Sequence, residues 1–345
     1  MSQHFPIRHN RPTRRHWHRT LPLPLLEAGL LLTWSSGFVG ARFSIDYAPA
    51  LLVVFWRCIV VCLLLLPFVL RSLRNTPFAV LLIHAAIGLL AMAGYLTGVT
   101  QGIALGVPAG LAALCADLLP LGMALLAALA FGERLARQVW VGLIVGLLGV
   151  LWVTHNALVL GAAPLWAYGL PVAGMLSLAV ATLWQKRTSA QPMGLLPNLW
   201  LQCFVSSLAF AAIEGSQGSL APVASVGFTL SVLWTVVLST LGGYGLYWVC
   251  LRRSSATRVA SVLYLSPPIT LLWAWAMFDE PLSWQMALGM AISATGIWLV
   301  VRAEARQAET VPCRSTSEAP CGSYGCDTEN DSVPATGRQS FKGVR

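Results

Sequence analysis

Hydrophobic residues occur along this chain in ten long runs that short polar segments separate. Each run has 17 to 25 residues, which is the length that a helix needs to cross a lipid bilayer. Polar and apolar residues do not alternate within the runs, so the pattern is not that of an outer-membrane barrel. Because backbone polar groups cannot stay unpaired in lipid, each run is predicted to be a transmembrane helix. The runs are Leu25–Phe43, Pro49–Leu70, Phe78–Val99, Val107–Phe131, Val139–His155, Leu165–Trp184, Leu195–Ile213, Phe228–Leu251, Arg258–Phe278 and Trp284–Val301.

Composition supports an integral membrane protein. Hydrophobic residues make up 57% of the 345 positions and charged residues 10%, whereas soluble domains contain about 25% charged residues. The first apolar run follows a basic segment, as in a signal peptide, but it is long enough to span and nine more runs follow it. The whole chain up to about Val301 is therefore predicted to lie in or at the membrane.

The positions of the basic residues predict the orientation of the chain. Loops rich in Lys and Arg stay in the cytoplasm, and the segment 1–24 carries five arginines before the first run. The amino end is therefore predicted to be cytoplasmic and, after ten crossings, the carboxyl end as well. The acidic residues Asp46, Glu214, Asp279 and Glu280 then fall in outer loops. The net charge of +9 is explained by this topology and by contact with anionic lipids, not by nucleic-acid binding.

The chain repeats itself at a distance of 147 residues. "FGERL" at Phe131–Leu135 and "FDEPL" at Phe278–Leu282 are the most visible copies, and 13 of the 45 positions from Ala109 to Val153 are identical under this shift. Earlier helices match with slightly different shifts, since Cys58 aligns with Cys203. Self-similarity at a fixed period indicates an internal duplication.

The duplicated halves are predicted to face opposite ways. Each half holds five runs, an odd number, so the second half enters the membrane from the other side. The loops agree, because the uncharged "TQGIALGVP" of the first half corresponds to the basic "RRSSATR" of the second. The prediction is an all-α membrane protein of ten helices in two inverted five-helix repeats, 25–155 and 164–301, followed by a disordered cytoplasmic tail, 302–345.

The chain resembles the EamA family of the drug/metabolite transporter superfamily. The resemblance is carried by "TWSSGFVGARF", by Arg57 in "FWRC", by "PLGMALLAALAFGERL", by "VWVGLIVGLLGVLWV" and by "PPITLLWAWAMFDEPLSWQMALGMAISATGIWLV". It implies a multi-pass permease of a bacterial-type inner membrane without a cofactor, often an exporter of amino acids or other metabolites. It also implies a cavity lined by helices 1, 3, 4, 6, 8 and 9.

Asp117 and Arg57 are the charged residues closest to the middle of the predicted helices. A carboxylate at this depth costs on the order of 2.5–3.5 kcal/mol, so it is expected to face a cavity or a partner. Both residues lie slightly on the outer side of the centre, which makes a salt bridge between them geometrically feasible. Two interpretations stay open: Asp117 lines the transport cavity and binds a cationic group or a proton, or it is a buried structural residue.

Each half has a proline three residues after a polar position of its fourth helix. Pro120 follows Asp117, and Pro267 follows Tyr264. A proline removes a helix hydrogen bond and loosens the preceding turn. Tyr264 is therefore a second candidate for the cavity, and the two prolines are either hinges beside the site or static kinks.

Other candidate residues have structural alternatives. Glu133 and Glu280 precede new helices, where a negative charge stabilises the helix dipole, and this role is favoured over proton coupling. The small residues Gly142, Gly146, Gly289 and Ser293 suit close helix contact within the fold or between protomers. The aromatic residues expected around the cavity, where rings suit an apolar or cationic substrate, are Trp34, Tyr95, Trp184 and Tyr244; each could instead be an interface anchor.

The sequence thus predicts a secondary carrier for a small-molecule substrate. No phosphate-binding loop is present, and the cysteines have no zinc-site spacing, so neither a cofactor nor a metal is expected. Proton coupling and a homodimer stay open. A lipid-linked flippase and an intramembrane enzyme are the alternatives, and an enzyme would have to use Arg57 and Asp117 as its catalytic pair.

Overall fold

The computed structural model describes residues 21–132, 137–159, 163–187, 193–253, 259 and 262–310. All regular secondary structure in this part of the chain is helical. The helices are α1 (Leu23–Ser44), α2 (Ala50–Arg74), α3 (Phe78–Gly88), α4 (Tyr95–Ala104), α5 (Ala109–Asp117), α6 (Leu119–Phe131), α7 (Arg137–Val159), α8 (Gly169–Arg187), α9 (Leu195–Gln217), α10 (Val226–Trp234), α11 (Gly243–Arg253), α12 (Ser266–Phe278) and α13 (Trp284–Thr310).

The all-helical membrane fold is confirmed, but the count of ten spans is not. Within the described residues, eight helices are long and apolar enough to cross a membrane, or nine if α5 and α6 form one bent span. The bent pair covers the fourth predicted run. Of the ninth predicted run, Arg258–Phe278, the structure describes only part, and α12 with its 13 residues is too short to count as a span.

The fourth helix of each half is interrupted at equivalent positions. α5 and α6 meet at a bend of 41°, where Leu118 has φ −72° and ψ 2°. Leu265, which lies 147 residues later, has φ −85° and ψ 0° directly before α12. Pro120 and Pro267 are the second residues of α6 and α12, where a proline's missing N–H has no helical partner to lose. The repeated prolines therefore mark repeated breaks.

The repeated phrases "FGERL" and "FDEPL" begin at equivalent left-handed helix ends. Gly132 directly follows α6 with φ 65° and ψ 22°, and Asp279 directly follows α12 with φ 53° and ψ 28°. Glycine adopts this conformation without strain, and Asp is among the few other residues that tolerate it. The duplication thus preserves the way in which these helices end, although the residue at the end differs.

The third span of each half is interrupted by one π-helical segment. Leu89–Gly94 joins α3 to α4, and Thr235–Gly242 joins α10 to α11. A π-turn leaves a local irregularity in the hydrogen-bond ladder and is found frequently at functional sites. Both segments are directed toward the same part of the bundle, the central cavity described below.

α7 and α13, the last helices of the two halves, pack closely and run antiparallel. A Cβ added to Gly142 would meet the carbonyl oxygen of Gly296, and one added to Gly149 would meet that of Gly289. Between these contacts, Ser293 Oγ donates a hydrogen bond to the Gly146 carbonyl oxygen at 3.0 Å. The small residues therefore form a contact within the chain, as expected for a close helix crossing.

The other helix contacts also occur in matched pairs. α2 packs on α9, and α5 packs on α12, so these helices contact their own counterparts in the repeat. α1 packs on the helix that contains α10 and α11, and in the same way α8 packs on the helix that contains α3 and α4. The first and sixth spans thus make equivalent contacts with the opposite half.

Candidate functional site

A cavity of about 80 Å³ lies in the bundle between helices of both halves. α1, α2 and the span from α3 to α4 surround it together with the span from α10 to α11. Most of its wall is apolar, which is typical of a small-molecule site with a few polar groups. The lining residues are Trp34, Gly37, Phe38, Ala41, Ser44, Val53, Val54, Arg57, Ala91, Met92, Tyr95, Leu96, Val99, Thr100, Thr235, Ser239 and Tyr244.

Arg57 is the one residue of this lining that carries a permanent charge. Its side chain comes from α2 and is only 8% exposed. Nε donates a hydrogen bond to Thr240 Oγ1 at 2.7 Å, and the Thr240 hydroxyl donates in turn to the Thr235 carbonyl oxygen at 2.9 Å. The second bond joins residues five apart, which is the spacing of a π-helix. The π-helical segment 235–242 thus holds the guanidinium in place.

Aromatic rings form one side of the cavity. The rings of Trp34 and Tyr244 lie 6.2 Å apart, and those of Trp34 and Tyr247 lie 6.1 Å apart, both in tilted arrangements. Tyr95 lies within electrostatic range of both Arg57 and Asp117. The wall of the cavity thus combines one cation, two tyrosines and a tryptophan with apolar side chains.

The cavity extends from the middle of the bundle toward one end. Along α1 it runs from Trp34 to Ser44, and along α2 it is confined to the first third of the helix, from Val53 to Arg57. On the other side of Trp34, and packed against it, lies a hydrophobic cluster in which Leu26, Leu30, Cys250 and Val259 are buried. The cavity therefore approaches the side on which α1 ends and α2 begins.

Four of the seven residues that the sequence suggested for the cavity lie together in its wall. These are Trp34, Arg57, Tyr95 and Tyr244. The contributing helices differ from those that the family resemblance implied, because the first, second, third and eighth spans line the cavity. No residue of α5, α6, α8 or α12 is part of the lining within the described part of the chain.

Asp117 is outside this lining and does not form the anticipated ion pair with Arg57. In the described residues the ion pairs within 4 Å are Arg42–Asp46 and Arg42–Glu280. Asp117 ends α5 at the bend, near the Ser266 hydroxyl. Its Oδ2 atom is buried and has no hydrogen-bond partner among the described residues. Arg57 instead bonds Thr240, because that hydroxyl lies on the facing π-helical segment.

Tyr264 and Trp184 lie elsewhere. Tyr264 precedes α12 and packs, partly buried, against a hydrophobic cluster that includes Val107 and Leu271. Trp184 is near the end of α8 and is 41% exposed on the surface of the bundle. The prediction of Trp184 rested on the helix that carries it, and the prediction of Tyr264 rested on its repeat relation to Asp117. Neither criterion specifies which face of a helix a side chain occupies.

Glu280 stabilises a helix terminus, but not that of the helix that follows it. Its Oε2 atom accepts a hydrogen bond from the backbone N–H of Ala109, the first residue of α5, at 3.3 Å. Its Oε1 atom lies 3.7 Å from Arg42 Nε. Burial raises the pKa of the Glu280 carboxyl group above its ordinary value, while the Ala109 N–H and Arg42 oppose this shift. Its repeat counterpart, Glu133, lies outside the described residues.

Several residues of the site carried little signal in the sequence. Thr235, Ser239 and Thr240 are small polar residues within an apolar run, and their placement depends on the π-helical geometry. Within the described ranges, no three His, Cys, Asp or Glu side chains are grouped closely enough to hold a metal ion.

Comparison with known proteins identifies the family. The model of the EamA-like transporter family matches residues 25–155 and 165–302. The "Probable amino-acid metabolite efflux pump" of Escherichia coli strain K12 is 26% identical over 283 residues, which cover 79% of this chain and 92% of that protein. The "Uncharacterized inner membrane transporter YedA" of the same strain is 28% identical over 280 residues, with coverages of 79% and 89%. These names point to a transporter rather than an enzyme.

A solved structure supports the same fold. A crystal structure with a TM-score of 0.56 and 22% sequence identity covers 84% of this chain and 99% of its own. At this identity the likeness concerns the fold alone. The family match covers both halves of the chain and most of its length. The chain therefore belongs to the EamA-like transporter family.

Proposed function

We propose that this chain is a secondary transporter that moves a small metabolite by alternating access, and that it exports amino acids or related compounds. The observation that carries the proposal is the largely apolar cavity with Arg57, Tyr95 and Tyr244 in its wall. A buried charge at mid-bundle is costly in a membrane and is usually retained for a ligand or an ion. The name of the Escherichia coli relative supports the substrate class.

The proposed architecture is ten helices in two inverted five-helix repeats. Its support is the antiparallel crossing of α7 and α13, in which Gly146 meets Ser293, its own counterpart 147 residues later. Two equivalent helices that run antiparallel belong to halves of opposite orientation. The matched contacts of the remaining helices agree with this arrangement. Such repeats enclose a substrate site that can be exposed to either side in turn.

The proposed location is a bacterial-type inner membrane, with both termini in the cytoplasm. The name of the second relative supports the membrane, and basic side chains at the end of α2, Arg71 and Arg74, favour the orientation. In this orientation the cavity approaches the outer surface. The cluster around Leu30 and Cys250 then closes the path to the cytoplasm. The protein would have to open this cluster to load substrate for export.

Asp117 is the candidate for proton coupling. Its buried Oδ2 has no hydrogen-bond partner among the described residues, and it interacts electrostatically with Tyr95, which lines the cavity. It also ends α5 at the 41° bend before Pro120. A change in its charge would therefore act both on the cavity wall and on a break in the helix, which would link proton binding to conformational change.

Flux into liposomes tests the proposed function. Purified full-length protein in liposomes is supplied with radiolabelled amino acids, with and without a pH gradient, and empty liposomes give the background. We expect accumulation above background for at least one small neutral amino acid. Flux of labelled lipid alone would favour a flippase, and a hydrolysed product would favour an enzyme. Either result would contradict the proposal.

The variant Asp117→Asn tests coupling in the same vesicles. Asn is close in shape to Asp but cannot ionise, so the variant is expected to lose the stimulation by a pH gradient while it still binds substrate. Asp279→Asn is the matched control, because Asp279 is exposed and its left-handed conformation also suits Asn. Equal pH dependence of wild type and Asp117→Asn from pH 5 to 8 would remove Asp117 from the mechanism.

A further inference from the structure

Among the described residues, Arg57 has no carboxylate within ion-pair distance, although Asp117 and Arg57 both interact electrostatically with Tyr95. The side chain of Arg57 is more than nine-tenths buried in the cavity wall. The hydrogen bond from Nε to Thr240 is the one that it makes to the described residues. A guanidinium has five N–H donors, of which four lie on the two terminal nitrogens. Among the described residues, no carboxylate is part of the cavity lining and none accepts a hydrogen bond from these four donors, which leaves them for a ligand.

The repeat shows that the fold does not require a positive charge at this place. Under the shift that aligns Cys58 with Cys203, the counterpart of Arg57 is Gln202. Gln202 is equally buried, at 8% exposure, and it is neutral. The two helices otherwise have equivalent roles, because α2 and α9 pack against each other. A charge that one half carries and the other half omits is better explained by a ligand than by packing.

The size and lining of the cavity restrict that ligand further. A site for one water molecule occupies about 10–15 Å³ on this scale, so 80 Å³ has room for about five to eight water-sized groups. Apolar side chains such as Phe38, Val53, Val54 and Val99 provide most of the remaining wall. The space suits a compact molecule with one anionic end and a short apolar body.

We propose that the cavity binds a small monocarboxylate, with the carboxylate paired to the two terminal nitrogens of Arg57 and a short aliphatic group among the apolar side chains. The planar fork of a guanidinium matches a carboxylate in a bidentate pair. The inference rests on the proposed transport function and names the chemistry of its substrate. The ligand is either an amino acid or a simple carboxylic acid, and it is not an organic cation.

Calorimetric titration with a matched series of ligands tests this inference. The probes are L-valine, 3-methylbutanoate, which lacks the ammonium group, and 2-methylpropylamine, which lacks the carboxylate. Each is titrated into the full-length protein in nanodiscs. We expect binding of at least one of the two carboxylates and none of the amine. Binding of valine alone identifies an amino-acid site, and binding of both carboxylates identifies a site for carboxylic acids in general.

The variant Arg57→Gln gives the first half the same residue type that the second half has at the equivalent position, Gln202. It is expected to weaken carboxylate binding at least about tenfold, because a hydrogen-bonded charge pair is lost. Arg57→Lys keeps the charge without the fork and serves if the first variant does not fold; it is expected to weaken binding less. Arg74→Gln is the matched control, because Arg74 lies exposed at the end of the same helix, and it is expected to bind like wild type.

The outcomes separate this inference from the transport proposal. Amine binding as tight as carboxylate binding, or unchanged carboxylate affinity in folded Arg57→Gln, would overturn the anion site. If carboxylates bind through Arg57 but are not moved across liposomes, the anion site stands and the transport proposal fails. If liposomes accumulate a substrate equally with wild type and folded Arg57→Gln, transport stands and the anion site fails.

Discussion

Replacing Gly296 by alanine tests the crossing of α7 and α13 on which the two-repeat arrangement depends. A Cβ at this position would lie 2.6 Å from Gly146 Cα and 2.7 Å from the Gly142 carbonyl oxygen. Ordinary contact distances are about 3.5–4 Å between carbon atoms, so the helices would have to move apart by roughly 1 Å. The obstructing atoms belong to the backbone and cannot rotate away. Such overpacking typically costs about 1–3 kcal/mol.

The separation would also weaken the hydrogen bond from Ser293 to Gly146. We therefore expect Gly296→Ala to melt at least about 2 °C below wild type when unfolding in detergent is followed by intrinsic tryptophan fluorescence. Gly245→Ala is the matched control. It also lies in a helix, its added Cβ meets nothing within 4 Å, and alanine is favoured over glycine there by about 0.5–1 kcal/mol.

The order of the melting temperatures of the two variants decides the test. Gly245→Ala is expected to melt at or above the wild-type temperature, and Gly296→Ala below it. If Gly296→Ala melts as high as Gly245→Ala, α7 and α13 do not cross as closely as the glycines indicate. The reasoning from the repeat to an antiparallel pair of equivalent helices would then be refuted.

Three further predictions concern the loop after α12, the topology and the break in the fourth helix. Burial raises the pKa of the Glu280 carboxyl group, so the contribution of Glu280 to stability is fully present below the ordinary pKa of Glu and declines as pH rises through the raised pKa. The difference in melting temperature between wild type and Glu280→Gln is therefore expected to fall between pH 4 and 7. A constant difference would contradict this. The substitutions Ser219→Cys and Asn75→Cys are each made in a variant without other cysteines. An impermeant maleimide is expected to label Ser219→Cys in intact spheroplasts but Asn75→Cys only after permeabilisation. Labelling of both in intact spheroplasts would exclude the topology with cytoplasmic termini. Pro120→Ala restores a backbone N–H after the bend and is expected to slow liposome flux at least about twofold with unchanged calorimetric affinity, whereas unchanged flux would make the bend a static kink.

The fold was predictable where a single residue type determines the local structure. Long apolar runs specify membrane helices because lipid leaves the backbone no other partner, and Pro120 with its copy Pro267 marks the breaks before α6 and α12. The π-helical segments were not predictable in this way. Each hydrogen bond of the π-helical segment Thr235–Gly242 spans five residues instead of the four of an α-helix. Side-chain packing rather than composition decides that difference.

The candidate site was predictable in its residue types but not in its pairings. Arg57 stood out because a charge is unusual in a membrane helix, and Tyr95 because it lies on a helix that the family resemblance placed around the cavity. Depth along the helix also suggested that Arg57 meets Asp117, and this was wrong, because depth does not specify direction around the helix axis. The actual partner, Thr240, lies on a segment whose π-turns change the face that each side chain occupies.

The distribution of breaks among the helices indicates which parts of the molecule can move. Within the described residues, interruptions occur in the third and eighth spans as π-helical segments and in the fourth span as a bend, with an equivalent geometry at Leu265 in the second half. α2, α9, α7 and α13 are each continuous, with Pro67 of α2 lying ten residues beyond Arg57, and they contact their own counterparts. Continuous helices that pair across the repeat resist bending, whereas helices with π-turns or proline breaks change direction at little cost. The interrupted third and eighth spans carry Tyr95 and Tyr244 of the cavity wall. Arg57 is fixed to the continuous α2, so a carboxylate bound to it would stay in place while the aromatic wall around it moved.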